Sequence, residues 1–155
     1  MLLIGDVNDD MLKTLLEFLA EKGPISIELY SGGGDLTTGL AMADLIKARG
    51  NVTITATGLV GSAAVVILAA ASKRFIRPSA AIYLHPPTHS GEHTHQQLTT
   101  SISNFRREVE LYINLISKTS KLTRGQVLKY IQKDTYLNAD QSVRLGLVNA
   151  IKEDF

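Results

Sequence analysis

Apolar and polar positions along the chain follow two spacings, one typical of strands and one typical of helices. Residues 25–30 alternate with a period of two, which predicts a strand with one buried face. The predicted strands are 2–4, 25–30, 51–56, 73–76 and 81–84. Helices are predicted from a cap at Asn8 or Asp9, over 36–48, after Ser62, over 96–118 and from about Thr123. This alternation predicts an α/β fold with a largely parallel sheet flanked by helices.

Ser62 is the one polar residue in an apolar stretch that runs from Gly58 to Ala71. A turn at Gly58 and Gly61 is predicted before it, and the Ala-rich segment after it predicts a buried helix. A hydroxyl on the first turn of such a helix lies near unpaired N–H groups and the positive end of the helix dipole. This position suits a nucleophile. The alternative is that Ser62 only caps the helix.

Three consecutive glycines, 32–34, follow the strand predicted at 25–30. Glycine adopts backbone conformations closed to other residues and lets main-chain N–H groups approach a ligand. The spacing matches neither a P-loop nor a dinucleotide fingerprint, which disfavours phosphate binding. A tight turn between strand and helix is one interpretation. Beside a nucleophile, however, exposed N–H groups can donate to the oxyanion of an acyl-transfer intermediate.

His85 directly follows the strand predicted at 81–84 and precedes Pro86 and Pro87, which stiffen the backbone around it. Imidazole is the usual general base near neutral pH, so His85 is a candidate to accept the proton of Ser62. The alternative is a polar residue that merely ends a strand. The glycines, Ser62 and His85 all follow predicted strands, which is where active groups collect in parallel α/β proteins.

Composition narrows the possible functions. A chain of 155 residues is long enough for one domain, predicted to span 1–155, with a substantial core. Its 16 basic and 15 acidic residues provide no positive field for nucleic acid. The absence of cysteine excludes a thiolate metal site and a cysteine nucleophile, and it fits a reducing compartment. The chain begins without an export-signal pattern, and the longest apolar run, 63–71, is too short to cross a bilayer. We therefore expect a cytoplasmic protein without a membrane partner.

Four ordered motifs resemble the proteolytic subunit family of the Clp protease, ClpP, over nearly the whole chain. They are Ser31-Gly-Gly-Gly-Asp-Leu-Thr-Thr-Gly, Gly61-Ser-Ala-Ala, Tyr83-Leu-His-Pro-Pro and Asp134-Thr-Tyr-Leu-Asn-Ala-Asp-Gln-Ser-Val-Arg-Leu-Gly-Leu-Val-Asn. Their order and approximate spacing are much more specific than any one of them. The resemblance implies an α/β fold of the ClpP/crotonase type, with repeated ββα units and a protruding handle helix in about 86–120.

The resemblance also implies a serine endopeptidase that needs no cofactor or metal. Ser62 corresponds to the nucleophile and His85 to the general base, and Asp134 falls where the family has its third catalytic residue. The backbone N–H groups of Gly34 and Ala63 correspond to the oxyanion hole. Asp140 is a rival to Asp134. However, Asn138 can cap a helix there, which would place Asp140 in the first helical turn.

The helix predicted over 96–118 carries an apolar stripe that packs either against its own domain or against another subunit. The stripe comprises Ile102, Phe105, Val109, Tyr112, Ile113 and Ile116. The resemblance implies a handle that interdigitates between two stacked heptameric rings, so we expect a tetradecamer that acts on peptides or unfolded proteins. His89, His93 and His95 precede the helix. We interpret them as a polar loop in preference to a metal site with Glu92. A further hypothesis is that these histidines, near a contact between rings, make the assembly sensitive to pH.

Three departures from the family pattern predict a short or divergent member. The chain begins almost at the first core strand, so we expect it to lack an axial gate and to depend little on an AAA+ unfoldase. Gly32 replaces the usual proline, and Gly61 replaces the usual alanine before the nucleophile. We expect peptidase activity with weak processive proteolysis. The alternatives are a non-catalytic ring subunit and a crotonase-type acyl-CoA enzyme.

Overall fold

A computed structural model describes residues 1–88 and 95–153. Its helices are α1 (Asp9–Ala20), α2 (Leu36–Arg49), α3 (Ala63–Ala69), α4 (His95–Thr119), α5 (Arg124–Gln132) and α6 (Ala139–Arg144). Its strands are β1 (Leu2–Ile4), β2 (Ile25–Ser31), β3 (Val52–Gly61), β4 (Lys73–Ile76), β5 (Ala81–Leu84), β6 (Thr135–Leu137) and β7 (Ala150–Ile151). The predicted α/β class is confirmed, and the predicted helices and strands are present.

Side-chain caps explain where several helices begin. The Asn8 side chain accepts hydrogen bonds from the amides of Asp10 and Met11 at the start of α1. Thr123 and Asn138 each form a capping box, at α5 and α6 respectively. Asp140 lies in the first turn of α6, as predicted, so its position is explained by helix stabilisation.

The sheet is organised around β3, the longest strand. In the described part of the chain the order β1-β2-β3-β4-β7 is parallel throughout. The first half of β3 pairs with β4, and its last residues, Leu59–Gly61, pair with β5. The strand β6 then pairs antiparallel with β5. This branching extends the sheet on the carboxyl side of β3, next to Ser62.

The predicted turn at Gly58 and Gly61 is wrong, because β3 continues to Gly61. At Gly58 the backbone has φ +61°, and the pairing of β2 with β3 shifts register between Leu29 and Ser31, so the local irregularity is a bulge and not a reversal. A Cβ on Gly61 would lie 3.0 Å from the carbonyl oxygen of Gly32. Gly61 therefore allows the carbonyl group of Gly32 to lie close to β3.

The core lies between the sheet and its helices, and α3 is buried along its whole length. A Cβ on Gly39 of α2 would lie 3.0 Å from the Ala63 carbonyl oxygen, so α2 and α3 pack closely. Tyr112, Ile113 and Ile116 of α4 are buried in the same core. The apolar stripe of α4 thus packs against its own domain in the carboxyl-terminal half. Within the described residues, no helix has the length and apolarity to span a membrane.

Candidate active site

Ser62 occupies a strained position at the junction of β3 and α3. Its backbone has φ 50° and ψ −127°, which is uncommon for a residue other than glycine. The Ser62 amide donates to the Tyr83 carbonyl at 3.1 Å, which fixes the turn against β5. Ser62 stands at the N-cap position of α3, but its side chain makes no capping hydrogen bond, so the interpretation of its hydroxyl as a helix cap is wrong. Sharp turns from strand to helix of this kind present a nucleophile's hydroxyl.

The glycine loop lies directly against Ser62. A Cβ on Gly33, where φ is +115°, would lie 2.5 Å from the Cβ of Ser62. The loop is tied down by hydrogen bonds from the Val7 amide to the Gly33 carbonyl, at 2.8 Å, and from the Asp35 amide to the Val7 carbonyl, at 2.9 Å. Neither bond uses the amide of Gly34. Glycine is therefore needed here for close approach, and the Gly34 N–H is not consumed by the bonds that hold the loop.

Ala63 supplies the second predicted amide. It is the first residue of α3, where N–H groups have no partner within the helix. The two predicted donors thus come from separate chain segments that converge on Ser62, one through the glycine loop and one through the start of α3.

His85 lies just beyond the end of β5, two residues after Tyr83. Its Nδ1 is 2.8 Å from the carbonyl oxygen of Pro86. A carbonyl oxygen only accepts hydrogen bonds, so Nδ1 is the donor, and in the neutral ring this leaves the lone pair on Nε2. This neutral tautomer is the one that a general base needs. The imidazole also stacks on the Tyr83 ring, with centroids 4.8 Å apart and planes inclined by 20°.

Asp134 lies between α5 and β6 with φ 57°, a left-handed conformation that aspartate tolerates. The paired register of β5 with β6 ends at Leu84 and Thr135, so His85 and Asp134 are the next residues beyond the paired segment. The Asp134 carboxylate nevertheless accepts a hydrogen bond from the Tyr83 hydroxyl at 2.5 Å. This bond, together with the negative charge of the carboxylate, raises the pKa of Tyr83 to about 12.

The three predicted catalytic residues therefore lie near one end of β3, β5 and β6 without forming a hydrogen-bonded series. Across the described ranges, no hydrogen bond joins Ser62 to His85 or His85 to Asp134. Each acidic or basic group has another partner: Pro86 for His85 and Tyr83 for Asp134. The structure brings the elements together, and the side chains of His85 and Asp134 remain turned to local contacts.

Tyr83 and Tyr136 are site residues that sequence reasoning missed. Their rings stack with centroids 4.0 Å apart, so that His85, Tyr83 and Tyr136 form a stack of three rings. A signal was present, because Tyr83 precedes His85 by two residues in a strand and so shares its face. Tyr136 has the same spacing from Asp134. The partnership across strands depends on the register of β5 and β6, which the sequence does not reveal.

A cavity of about 520 Å³ opens beside the glycine loop. Gly34 and Asp35 line one side and Asn104, Phe105 and Glu108 of α4 line the other. The Thr37 hydroxyl donates to Glu108 at 2.6 Å across it, joining α2 to α4. The cavity adjoins the candidate oxyanion donor and has two carboxylates in its wall, so it can accommodate a polar or basic substrate side chain.

The histidine-rich segment leads into α4 in the chain. His89, Glu92 and His93 lie outside the described residues, as does the side chain of His95. Among the residues that are described, no group of three or more histidine, cysteine, aspartate or glutamate side chains is arranged to hold a metal ion.

A serine, a histidine and an aspartate near one sheet edge of an α/β fold are features of serine peptidases. The sequence model of the Clp protease family matches residues 3–154. The chain is 34% identical to ATP-dependent Clp protease proteolytic subunit 2 of Treponema denticola, covering 99% of this chain and 81% of that protein. It is 28% identical to the ATP-dependent Clp protease proteolytic subunit of Dehalococcoides mccartyi, covering 96% and 77%. The chain therefore belongs to the Clp protease family.

Comparison with solved structures agrees with this family assignment. A ClpP1 mutant from Listeria monocytogenes superposes with a TM-score of 0.88 at 26% identity, covering 99% of this chain and 91% of that chain. The ClpP fold predicted from the four motifs is confirmed. The identities of 26–34% are those of a divergent member.

Proposed function

We propose that this chain is a serine endopeptidase subunit in which Ser62 is the nucleophile, His85 the general base and Asp134 the residue that orients His85. The observation that carries this proposal is the strained backbone of Ser62, whose side chain does not cap the helix it precedes. Strained residues persist only where the surrounding structure holds them in place, and they cluster at active sites. Membership of the Clp protease family supports the same reaction.

In the proposed reaction, Nε2 of His85 accepts the Ser62 proton as Oγ attacks the peptide carbonyl carbon. The amides of Gly34 and Ala63 donate to the oxygen that becomes negative in the tetrahedral intermediate. His85 then returns the proton to the leaving amine, and water hydrolyses the acyl-enzyme through the same steps in reverse. Asp134 stabilises the imidazolium without accepting its proton. A substrate side chain occupies the cavity between the glycine loop and α4.

The proposed working form is a homo-oligomer of two stacked heptameric rings, a tetradecamer that encloses the active sites. The exposed apolar side chains on the edge of the sheet support an interface there: Leu2 and Ile4 of β1 are 56% and 53% exposed, and Tyr30 of β2 is 47% exposed. Ile102 of α4, 37% exposed, supports a second interface through the handle, 86–120. The relatives are named ATP-dependent. We assign hydrolysis of short peptides to this chain alone, and delivery of folded proteins to an AAA+ unfoldase partner where one acts.

Fluorophosphonate labelling followed by peptide mapping tests the proposed reaction. The wild-type protein should carry one adduct, on Ser62, and cleave a fluorogenic peptide. Ser62→Ala should abolish the adduct, and His85→Ala should slow both reactions by about a thousandfold or more. Ser72→Ala is the matched control because Ser72 is an exposed serine beyond the other end of α3, and it should react like the wild type.

The alternatives give different results in the same experiment. An assembled wild-type protein that resists the reagent and cleaves no peptide is the non-catalytic ring subunit. A protein that retains acyl-CoA in place of turning over peptide is the crotonase-type enzyme. Either result overturns the proposed reaction, while the family and the fold stand.

A further inference from the structure

The hydroxyl of Tyr83 is hydrogen-bonded to the carboxylate that the proposed reaction requires for His85. Asp134 has its carboxylate oxygen Oδ1 2.5 Å from this hydroxyl. At the same time the Nδ1–H of His85, the group that Asp134 would orient, donates to Pro86. Tyr83 and His85 therefore favour different orientations of one carboxylate side chain, and in this structure the bond from Tyr83 sets the orientation.

The position of Tyr83 makes this competition direct. The residue lies on the same face of β5 as His85, and its ring stacks between His85 and Tyr136. Tyr136 lies opposite Tyr83 in the antiparallel register, and Asp134 and His85 lie just beyond the paired ends of β6 and β5. The Asp134 carboxylate and the His85 imidazole thus both contact one side chain, that of Tyr83.

Exchange of partners needs no rearrangement of the core. Asp134 is exposed, Tyr136 is 60% exposed and Tyr83 is half-buried. Rotation of the Asp134 side chain toward His85 breaks the bond from Tyr83, and the Nδ1–H of His85 moves from the Pro86 carbonyl to the carboxylate. Both donors remain hydrogen-bonded after this exchange, because water can accept a hydrogen bond from the released hydroxyl of Tyr83.

We propose that Tyr83 is a positioning residue that holds the carboxylate of Asp134 away from His85 and thereby restrains the hydrolytic reaction. This inference rests on the function proposed above. It assigns a role to the hydroxyl alone, since the ring of Tyr83 keeps its place in the stack whether or not the bond to Asp134 is made.

Tyr83→Phe tests the restraint because it removes the donor and keeps the ring. The second-order rate constant for fluorophosphonate labelling of Ser62 and kcat/KM for a fluorogenic peptide should both rise by about tenfold, the scale of one partly exposed hydrogen bond to a charged group. The acidic limb of the kcat/KM profile should move to higher pH, because a carboxylate neighbour favours protonated imidazole. Tyr130→Phe, which removes a tyrosine hydroxyl from α5, should change none of these three quantities.

A second measurement reads the hydrogen bond without activity. In protein labelled with ¹³C at the ζ carbon of tyrosine, the Tyr83 signal, assigned by its loss in Tyr83→Phe, should titrate with a pKa of about 12. Asp134→Asn removes the charged acceptor and should bring this pKa down toward that of an ordinary tyrosine. A wild-type Tyr83 that titrates like an ordinary tyrosine would overturn the proposal.

The outcomes separate this inference from the proposed function. If the wild type labels at Ser62 and Tyr83→Phe labels at the same rate or more slowly, the restraint is wrong and the peptidase stands. If neither protein labels while both assemble, the peptidase is wrong and the restraint falls with it. A faster Tyr83→Phe with a shifted pH profile supports both.

Discussion

Gly33 lies directly against Ser62 and leaves no room for a side chain between them. At φ +115° it has a conformation that side chains disfavour, and an added Cβ would overlap the Cβ of Ser62 at 2.5 Å. Gly33→Ala should lower the free energy of unfolding by about 2–4 kcal/mol. It should also lower kcat/KM by about a hundredfold, because the nucleophile and the adjacent amides are displaced together. Urea denaturation and peptide cleavage measure the two effects.

Gly32→Ala is the control for this substitution. A Cβ there meets nothing within 4 Å, although Gly32 is the immediate neighbour of Gly33. The variant should keep both stability and activity. Equal behaviour of the two alanine variants would contradict the close packing of the glycine loop against Ser62.

Tyr112 presents the opposite case, a polar atom that the fold buries without a partner. Its side chain is 3% exposed, and its hydroxyl has no hydrogen bond within the part of the chain that the structure describes. Burial raises the pKa of Tyr112 well above its usual range. Tyr112→Phe removes this unpaired group, so the free energy of unfolding should stay unchanged or rise by about 1 kcal/mol. Urea denaturation at fixed protein concentration is the measurement.

Ile113→Ala shows whether that measurement is sensitive to packing of α4. Ile113 is 2% exposed in the same turn, and its truncation should lower the free energy of unfolding by about 2–5 kcal/mol. A comparable loss in Tyr112→Phe would mean that the hydroxyl has a hydrogen-bond partner in solution.

At the scale of elements, an ion pair between Glu28 and Arg77 ties neighbouring strands of the sheet together. Glu28 of β2 accepts hydrogen bonds from the Arg77 guanidinium, at 2.5 Å, and from the Thr57 hydroxyl of β3, at 2.6 Å. Partial burial acts to raise the pKa of Glu28, but the bonds from Arg77 and Thr57 and the charge of Arg77 outweigh it and lower the pKa. The pair therefore links β2, β3 and the end of β4 through a carboxylate that is stabilised as the anion.

This ion pair predicts how stability depends on pH. A carboxyl whose pKa is lower in the folded state contributes stability above its unfolded pKa, and that contribution is lost as the pH falls through the folded value. Between pH 5.5 and 3.0 the wild type should lose more unfolding free energy than Glu28→Gln, in urea titrations at both pH values. Asp10→Asn, at the exposed pair with Lys13, should behave like the wild type. An equal loss in Glu28→Gln and the wild type would contradict the lowered pKa.

The elements differ in how far the sequence predicts them. Helices α1, α5 and α6 follow from caps at Asn8, Thr123 and Asn138, because capping is a local interaction. The end of β3 was mispredicted because a glycine with positive φ serves a bulge as well as a turn, and only pairing with β5 distinguishes them.

Some features of the candidate site are likewise predictable from local sequence, and others depend on the pairing of distant strands. The positions of Ser62 and His85 at strand ends are predictable because the strands have a recognisable pattern, whereas Asp134 is marked only by a motif. The bond from Tyr83 to Asp134 joins strands whose partnership is set by long-range folding. Local sequence therefore identifies candidate catalytic residues, but it does not determine which of two neighbours their side chains bind.

At the scale of the whole molecule, α4 is divided between two environments. Its carboxyl-terminal half buries Tyr112, Ile113 and Ile116 in the core. Ile102, in the amino-terminal half, is 37% exposed. The exposed part of this side chain gains nothing from packing against its own domain. In the proposed tetradecamer, Ile102 instead contacts the opposite ring, and the burial of such apolar surface holds the two rings together.

Ile102→Glu should therefore split the particle into single rings, because a charge buried between the rings without a partner is costly. Sedimentation velocity should show half the wild-type mass, with each ring intact because β1 and β2 are unchanged. Ser103→Glu adds the same charge at the adjacent exposed position and should leave the assembly whole. If Ile102→Glu sediments like the wild type, the exposed half of α4 does not join the rings. If the wild type sediments as a monomer, the chamber itself is wrong, and any peptidase activity belongs to the isolated chain.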